Sequence, residues 1–170
     1  QIQLLLDAAL MAPTSKGLHS YSFCVVEKPE LLLALSQSKA MGSQFVADAA
    51  CAIVVLAEPE ISDVWIEDAS TAAMSILYQA EDIGLGACWV QIRERRDADG
   101  KDSEEVVRDI LSLPASKRVG CLIALGHKGM ERKEQNLEKI AALKTEKVVR
   151  KKKKQNCFLI IDIPVVYCRF

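Results

Sequence analysis

The sequence predicts an α/β or α+β domain, a sheet with helices on both faces. Three observations carry that expectation. Residues 51–57 form a continuous β-rich apolar run, the pattern of a strand covered on both sides. Segments of helical and of extended character alternate along the chain instead of clustering by type. A long amphipathic stretch begins near Ser62-Asp63 and runs to about Ile83. In it Trp65, Ala69, Ala72, Ala73, Ile76, Leu77, Ala80 and Ile83 recur at spacings of three and four.

Each element has a local reason. Residues 3–11 are an amphipathic helix with Leu4, Leu5, Ala8, Ala9 and Met11 apolar, and Ala12-Pro13 stops it. Residues 14–20 are a polar loop. A strand over 21–26 is followed by a helix over 29–38, which Pro29 can open because the first turn needs no amide donor. The long helix starts at two good N-caps and would extend about 33 Å at ~1.5 Å per residue. Gly84 ends it. Its small residues Ala69, Ser70, Ala72 and Ala73 would admit another helix at close range, as a dimer interface or simply as a core stripe. A strand over 87–92, a charged loop over 93–101, a helix over 103–113 and a strand over 119–125 complete the body. Asp102 or Ser103 caps the last helix, with acid in its first turn.

The composition is that of one globular domain: 170 residues, 50% hydrophobic and 26% charged. The 51–57 run is far shorter than the ~20 apolar residues that span a bilayer, so no membrane role is expected. Asp7 breaks the place where a secretory h-region would lie. Because Gln1 is not Met and residue 2 already has mid-helix character, native sequence is expected to precede it. The six cysteines, at 24, 51, 88, 121, 157 and 168, form no C-x-x-C and no metal spacing with the two histidines. Cys24, Cys51, Cys88 and Cys121 sit in apolar runs, as small buried hydrophobes of a reducing cytosol do. A cytoplasmic location follows as the expectation. Charge is uneven: residues 127–154 carry +7 and the remainder −8.

The chain has no Walker lysine loop, no G-x-G-x-x-G, no H-E-x-x-H and no G-x-S-x-G. Two loops are unusual. The first, Pro13-Thr14-Ser15-Lys16-Gly17-Leu18-His19-Ser20, gathers hydroxyls, an amine and an imidazole between a helix end and a strand. It suits a polar ring or a phosphate, or equally a capping turn. The second, Gly84-Leu85-Gly86, permits φ > 0 and close backbone approach to a ligand, or serves only as a helix stop and tight turn.

In order, these segments resemble the nitroreductase family of FMN-dependent oxidoreductases. Residues 12–23 stand for its A-P-[ST]-S-x-N-x-Q-P-W-x-F loop and strand. Asp68-Ala69-Ser70-Thr71-Ala72 stands for its D-A-x-x-A helix, and residues 80–89 for A-x-x-L-G-L-G-x-x-W. Leu122-Ile123-Ala124-Leu125-Gly126-His127 matches its last strand. The likeness covers about residues 2–150, taken as one domain, with 151–170 as an atypical tail. Gly17 stands where the family commonly has Asn, His19 where it has Gln, and Ser20-Tyr21 where it has Pro-Trp. The family normally begins with an R-R-S-x-R segment that grips the flavin phosphate, and the sequence here starts after it.

The resemblance implies an α+β fold with a central, mostly antiparallel sheet between helices, in an intertwined homodimer. It implies FMN as cofactor and NAD(P)H as reductant. Hydride would pass by a ping-pong scheme to a small-molecule acceptor such as a nitroaromatic or a quinone. No side chain is expected to be catalytic, since the cofactor carries the redox chemistry. Pro13, Thr14, Ser15, Gly17 and His19 would reach the flavin bound by the partner subunit, and backbone at Gly84, Leu85 and Gly86 would approach its N5 and O4. Lys128, Arg132 and Lys133 are the phosphate candidates, against a plain solvated run. Relatives that dehalogenate or fragment flavin define an alternative chemistry.

A nucleic-acid role for Arg150-Lys151-Lys152-Lys153-Lys154 is the other class. The acidic body and the lack of an aromatic-interleaved basic face argue against it, so no nucleic-acid partner is expected. Residues 151–170 resemble nothing in the family. A frame change in adenine-rich codons near Lys151 would account for them. So would a genuine extension whose residues 158–163 add an edge strand to a partner's sheet.

Overall fold

A computed structural model of the chain describes residues 1–130 together with Asn136 and Glu138. The elements below belong to one compact unit, Gln1–Glu131. They are α1 (Ile2–Leu10), β1 (Tyr21–Val26), α2 (Pro29–Ser36), β2 (Cys51–Ala57), α3 (Trp65–Asp82), β3 (Leu85–Gln91), α4 (Ser103–Leu111) and β4 (Arg118–His127). Short 3-10 turns at Ser15–Gly17 and Gln44–Asp48 complete the set. Arg132, Lys133 and the 151–170 tail lie outside the described residues.

The four strands form one sheet in the order β1-β2-β4-β3, every neighbouring pair antiparallel. Strand β2 is buried along its whole length, and its alternation supplies both cores. Cys51, Ile53, Val55 and Ala57 pack under α1 and α3 with Leu5, Ala9, Ala72 and Ile76. Ala52, Val54 and Leu56 pack on the other face with Leu32, Leu35 and Val107 of α2 and α4. The sheet is therefore covered by helices on both sides, as its uninterrupted apolar run requires.

Boundaries shift for identifiable reasons. Helix α3 starts at Trp65, two residues beyond the expected caps, because the buried Ser62 hydroxyl accepts from Val64 N (3.3 Å) and closes a turn instead of capping. Strand β3 starts at Leu85 because Gly86 pairs with Gly126, where a Cβ would meet Gly126 O at 3.4 Å. Asp102 caps α4, accepting from Glu104 N at 2.7 Å and Glu105 N at 3.4 Å. The small residues Ala69, Ala72 and Ala73 are buried against the chain's own core. The close approach they permit is that of α1 and the sheet. Outside that buried stripe α3 exposes Ile66, Met74 and Tyr78, with Tyr78 70% exposed.

Candidate functional site

The loop after α1 is held by one carboxylate. Asp68, in the first turn of α3 and 4% exposed, accepts from Thr14 Oγ1 (3.0 Å), Ser15 N (2.9 Å) and Ser20 Oγ (3.3 Å). Thr14 Oγ1 in turn accepts from His19 N at 3.1 Å. Thr71, one turn further on, shares its hydroxyl proton between Pro13 O (3.1 Å) and Asp68 O (2.8 Å). Pro13, Thr14, Ser15, Gly17 and His19 are thus gathered into one cluster. Its backbone is left-handed at Lys16 (φ 54), Gly17 (φ 66) and His19 (φ 47). Non-glycine residues pay for that conformation. Gly17 and His19 are exposed, and a Cβ at Gly17 would meet nothing within 4 Å.

Tyr21 anchors the loop's far end. Its hydroxyl donates toward Ala9 O (3.2 Å) and Ala12 O (3.5 Å), satisfying carbonyls at the end of α1. The phenol oxygen also lies 3.4 Å from His19 Nδ1, a contact whose donor is set by the imidazole tautomer. Burial raises the Tyr21 pKa, and the Asp68 charge adds to the effect.

The second motif lies at the opposite end of α3. Gly84 (φ 77) ends the helix, with open space where a side chain would stand. Gly86 is already inside β3. Lys128 follows directly on β4, its Cα 3.6 Å from where a Gly86 Cβ would be, and its Nζ pairs with Glu81 at 2.6 Å. Gly84, Leu85, Gly86 and Lys128 therefore form a second cluster. From Asp68 to Asp82 the helix rises roughly 20 Å at ~1.5 Å per residue, so no tricyclic ring touches both clusters of one chain.

A third feature was not legible in the sequence. A half-open cavity of about 130 Å³ is lined by Trp65, Ile66, Ser70, Trp89, Gln91 and Arg93, with Cys121 at its floor. It lies at the far end of β3 from the glycine turn. Trp65 is flanked by the guanidinium carbons of Arg93 (5.8 Å from the ring centroid) and Arg118 (5.3 Å). Glu104 fixes Arg118 through two 2.8 Å bonds. Trp89 Nε1 donates to Gln91 Oε1 (3.0 Å), which sets the indole on the cavity wall. Burial pushes the Cys121 thiol far up, so it is a protonated wall and no nucleophile. At about 3.6 residues per turn, Ile66 and Ser70 line this cavity while Asp68 and Thr71 of the same turn face the loop, on a different flank of α3.

Chemically, these surfaces bind and orient. Among the described residues no group of three or more His, Cys, Asp or Glu is placed to hold a metal, and none of the clusters pairs a nucleophile with a base. Strand β3 has a neighbour on one side only within the described sheet, so alternate backbone groups between turn and cavity face outward.

Comparison with known proteins agrees with this architecture. A chain from Archaeoglobus fulgidus, named "Putative NADH dehydrogenase/NAD(P)H nitroreductase", is 31% identical over 130 residues, spanning 74% of this chain and 71% of its own. The structure of an FMN-dependent nitroreductase from Clostridium difficile R20291 superposes with a TM-score of 0.81 at 40% identity, covering 85% of this chain and 84% of that one. A Bacteroides thetaiotaomicron structure with the same name as the archaeal protein gives 0.71 at 30% identity, covering 79% and 77%. The model of the Nitroreductase family matches residues 1–127, which hold all four strands and both glycine-containing loops. This chain belongs to the nitroreductase family.

Proposed function

We propose that this chain is an FMN-dependent oxidoreductase that draws on NAD(P)H to reduce nitroaromatics, quinones or similar small acceptors. It acts in the cytoplasm, as a homodimer whose sites are each built by two chains. The observation that carries the reading is the separation of the two clusters along α3. Each has exposed members, Gly17 and His19 in one and Gly84 in the other, yet one bound ring reaches both only if they come from different subunits. A cavity of about 130 Å³ is also well below the ~300–1,000 Å³ of complete ligand pockets, as half of a two-chain site would be.

The residues present fit the cofactor. Pro13, Thr14, Ser15, Gly17 and His19 from one chain would offer the Ser15 hydroxyl, exposed backbone and an imidazole to a polar ring edge, with the Thr14 hydroxyl holding the loop. Gly84, Leu85 and Gly86 from the other begin an edge strand that runs to an indole-walled cavity. Outward N–H groups on that strand stabilise negative charge on a ring without burying a charged side chain. Lys128, whose ammonium is paired with the exposed Glu81 and would have to exchange that partner, would with Arg132 and Lys133 beyond the described residues serve the phosphate. FMN, when bound, supplies the hydride chemistry between NAD(P)H and acceptor. The protein's part is binding, orientation and electrostatics. The C. difficile relative's FMN dependence and the NAD(P)H naming of the archaeal one support both cofactors.

The test is reconstitution. Purified protein should take up FMN, one per chain, and oxidise NAD(P)H in the presence of a quinone or nitroaromatic. His19→Gln should tune affinity without abolishing turnover. No uptake of added FMN refutes the assignment. Uptake without acceptor reduction, but with turnover of a halogenated aromatic or loss of the flavin itself, would move the chain to the alternative chemistry.

A further inference from the structure

The geometry points to Asp68 as the positioning residue of the cofactor loop: one buried carboxylate, acting through Thr14, holds His19 and its neighbours in the conformation that meets the flavin. The inference rests on the reading that this loop contacts the cofactor.

Asp68 stands on the buried stripe of α3, in series with Trp65, Ala72 and Ile76, where helical periodicity calls for an apolar residue. Its side chain makes no ion pair with any described residue; three uncharged donors solvate it instead. A carboxylate buried in that way is costly unless its acceptor positions are filled. Here they are filled by both ends of the loop, Thr14-Ser15 at its start and Ser20 at its finish. The first turn of α3 also favours a negative charge through the helix dipole.

Thr14 makes the arrangement directional. Its single proton goes to Asp68, so its oxygen is left to accept from His19 N. The contact fixes His19 at φ 47, a conformation that persists only where the surroundings over-determine it. Thr71 adds a tie from Pro13 O to the Asp68 carbonyl. A carboxylate with no other task would need no relay. This one sets the backbone of His19, an imidazole exposed at the surface of the loop.

The experiment compares the full chain with Asp68→Asn, Thr14→Val and Thr14→Ser. The readouts are FMN dissociation constant by fluorescence titration of apoprotein, the bound flavin's visible spectrum, apoprotein melting temperature and sedimentation. Loss of one charge-assisted bond corresponds to about a tenfold weakening. Asp68→Asn should therefore raise the FMN dissociation constant by that order and alter the flavin spectrum, with the dimer kept. Thr14→Val should reproduce the loss and Thr14→Ser should rescue it. The double variant Asp68→Asn/Thr14→Val should be no worse than either single, because the two act as one unit. Wild-type affinity and spectrum in Asp68→Asn, with only a lowered melting temperature, overturn the proposal. If Asp68→Asn does not fold, the Thr14 pair decides alone, and equal affinity in Val and Ser overturns it. His19→Ala separates the two readings. If it weakens FMN while Asp68→Asn does not, only the positioning role fails. If neither does, the loop does not meet the cofactor.

Discussion

Tyr78→Glu tests whether the site needs two chains. Tyr78 is 70% exposed on α3, about one helical turn from the part-exposed Met74 (38%). An aromatic side chain carries about 150–250 Å². At that exposure it offers roughly 140 Å² to a partner, or about 3 kcal/mol at ~25 cal/mol per Å². A two-fold axis counts the contact twice, and the introduced carboxylate adds a desolvation cost. Twice that contact is about 6 kcal/mol, so the dimer dissociation constant should rise by roughly four orders of magnitude. The isolated fold should hardly notice, since the position is exposed and Glu is a good helix former, within about 0.5 kcal/mol. Sedimentation across a concentration series should show the weakened dimer. FMN content and NAD(P)H oxidation should fall along the same curve if, as proposed, neither chain alone completes the site. A monomeric variant that retains one FMN per chain would refute the two-chain argument. A dimer of wild-type strength would place the interface away from this flank.

Two further outcomes follow from buried groups. Glu104→Ala strands the buried Val119 N–H, which donates to it at 3.1 Å, while Arg118, 41% exposed in its side chain, rehydrates. The expected cost is about 2 kcal/mol, read as a lower urea midpoint, and a loss near zero would refute the account. The Cys121 thiol, raised by burial, stays protonated where the unfolded thiol ionises near pH ~8.5. The unfolded state then binds fewer protons, so stability should fall as pH rises above that value. Melting temperatures between pH 8 and 10.5 check it, and an undiminished slope in Cys121→Ala would show that the thiol is not the cause.

The strands were legible where burial is simplest. Tyr21–Val26 and Cys51–Ala57 match their expected spans, the second because a short β-rich run apolar at every position suits a strand covered on both faces. Boundaries slipped where a residue had two uses. Ser62 is as good a turn former as a cap, and only the backbone decides which. The small residues of α3 were ambiguous in the same way. Ala69, Ala72 and Ala73 suit a neighbouring helix of either chain, and nothing in a linear pattern separates α1 from a partner.

The site divides along the same line between local and distant. The loop's polar cluster stands in eight consecutive residues and could be singled out directly, but its keystone is more than fifty positions away in Asp68. One signal was there: a carboxylate at a position of the apolar stripe where Trp65, Ala72 and Ile76 call for a hydrophobe. The cavity left no such trace. Trp65, Trp89 and Gly120 meet only because β3 pairs antiparallel to β4 with Gln91 opposite Cys121, a register that residue types do not specify. That register also joins the parts. Gly84 turns the chain back beneath α3, so β3 carries an outward-facing backbone edge from the glycine turn to the indole-walled cavity. The Asp68 loop stays on the helix's other flank. A fold arranged in this way offers two separate surfaces per chain, and on the proposed two-chain reading a second copy would join them into one site.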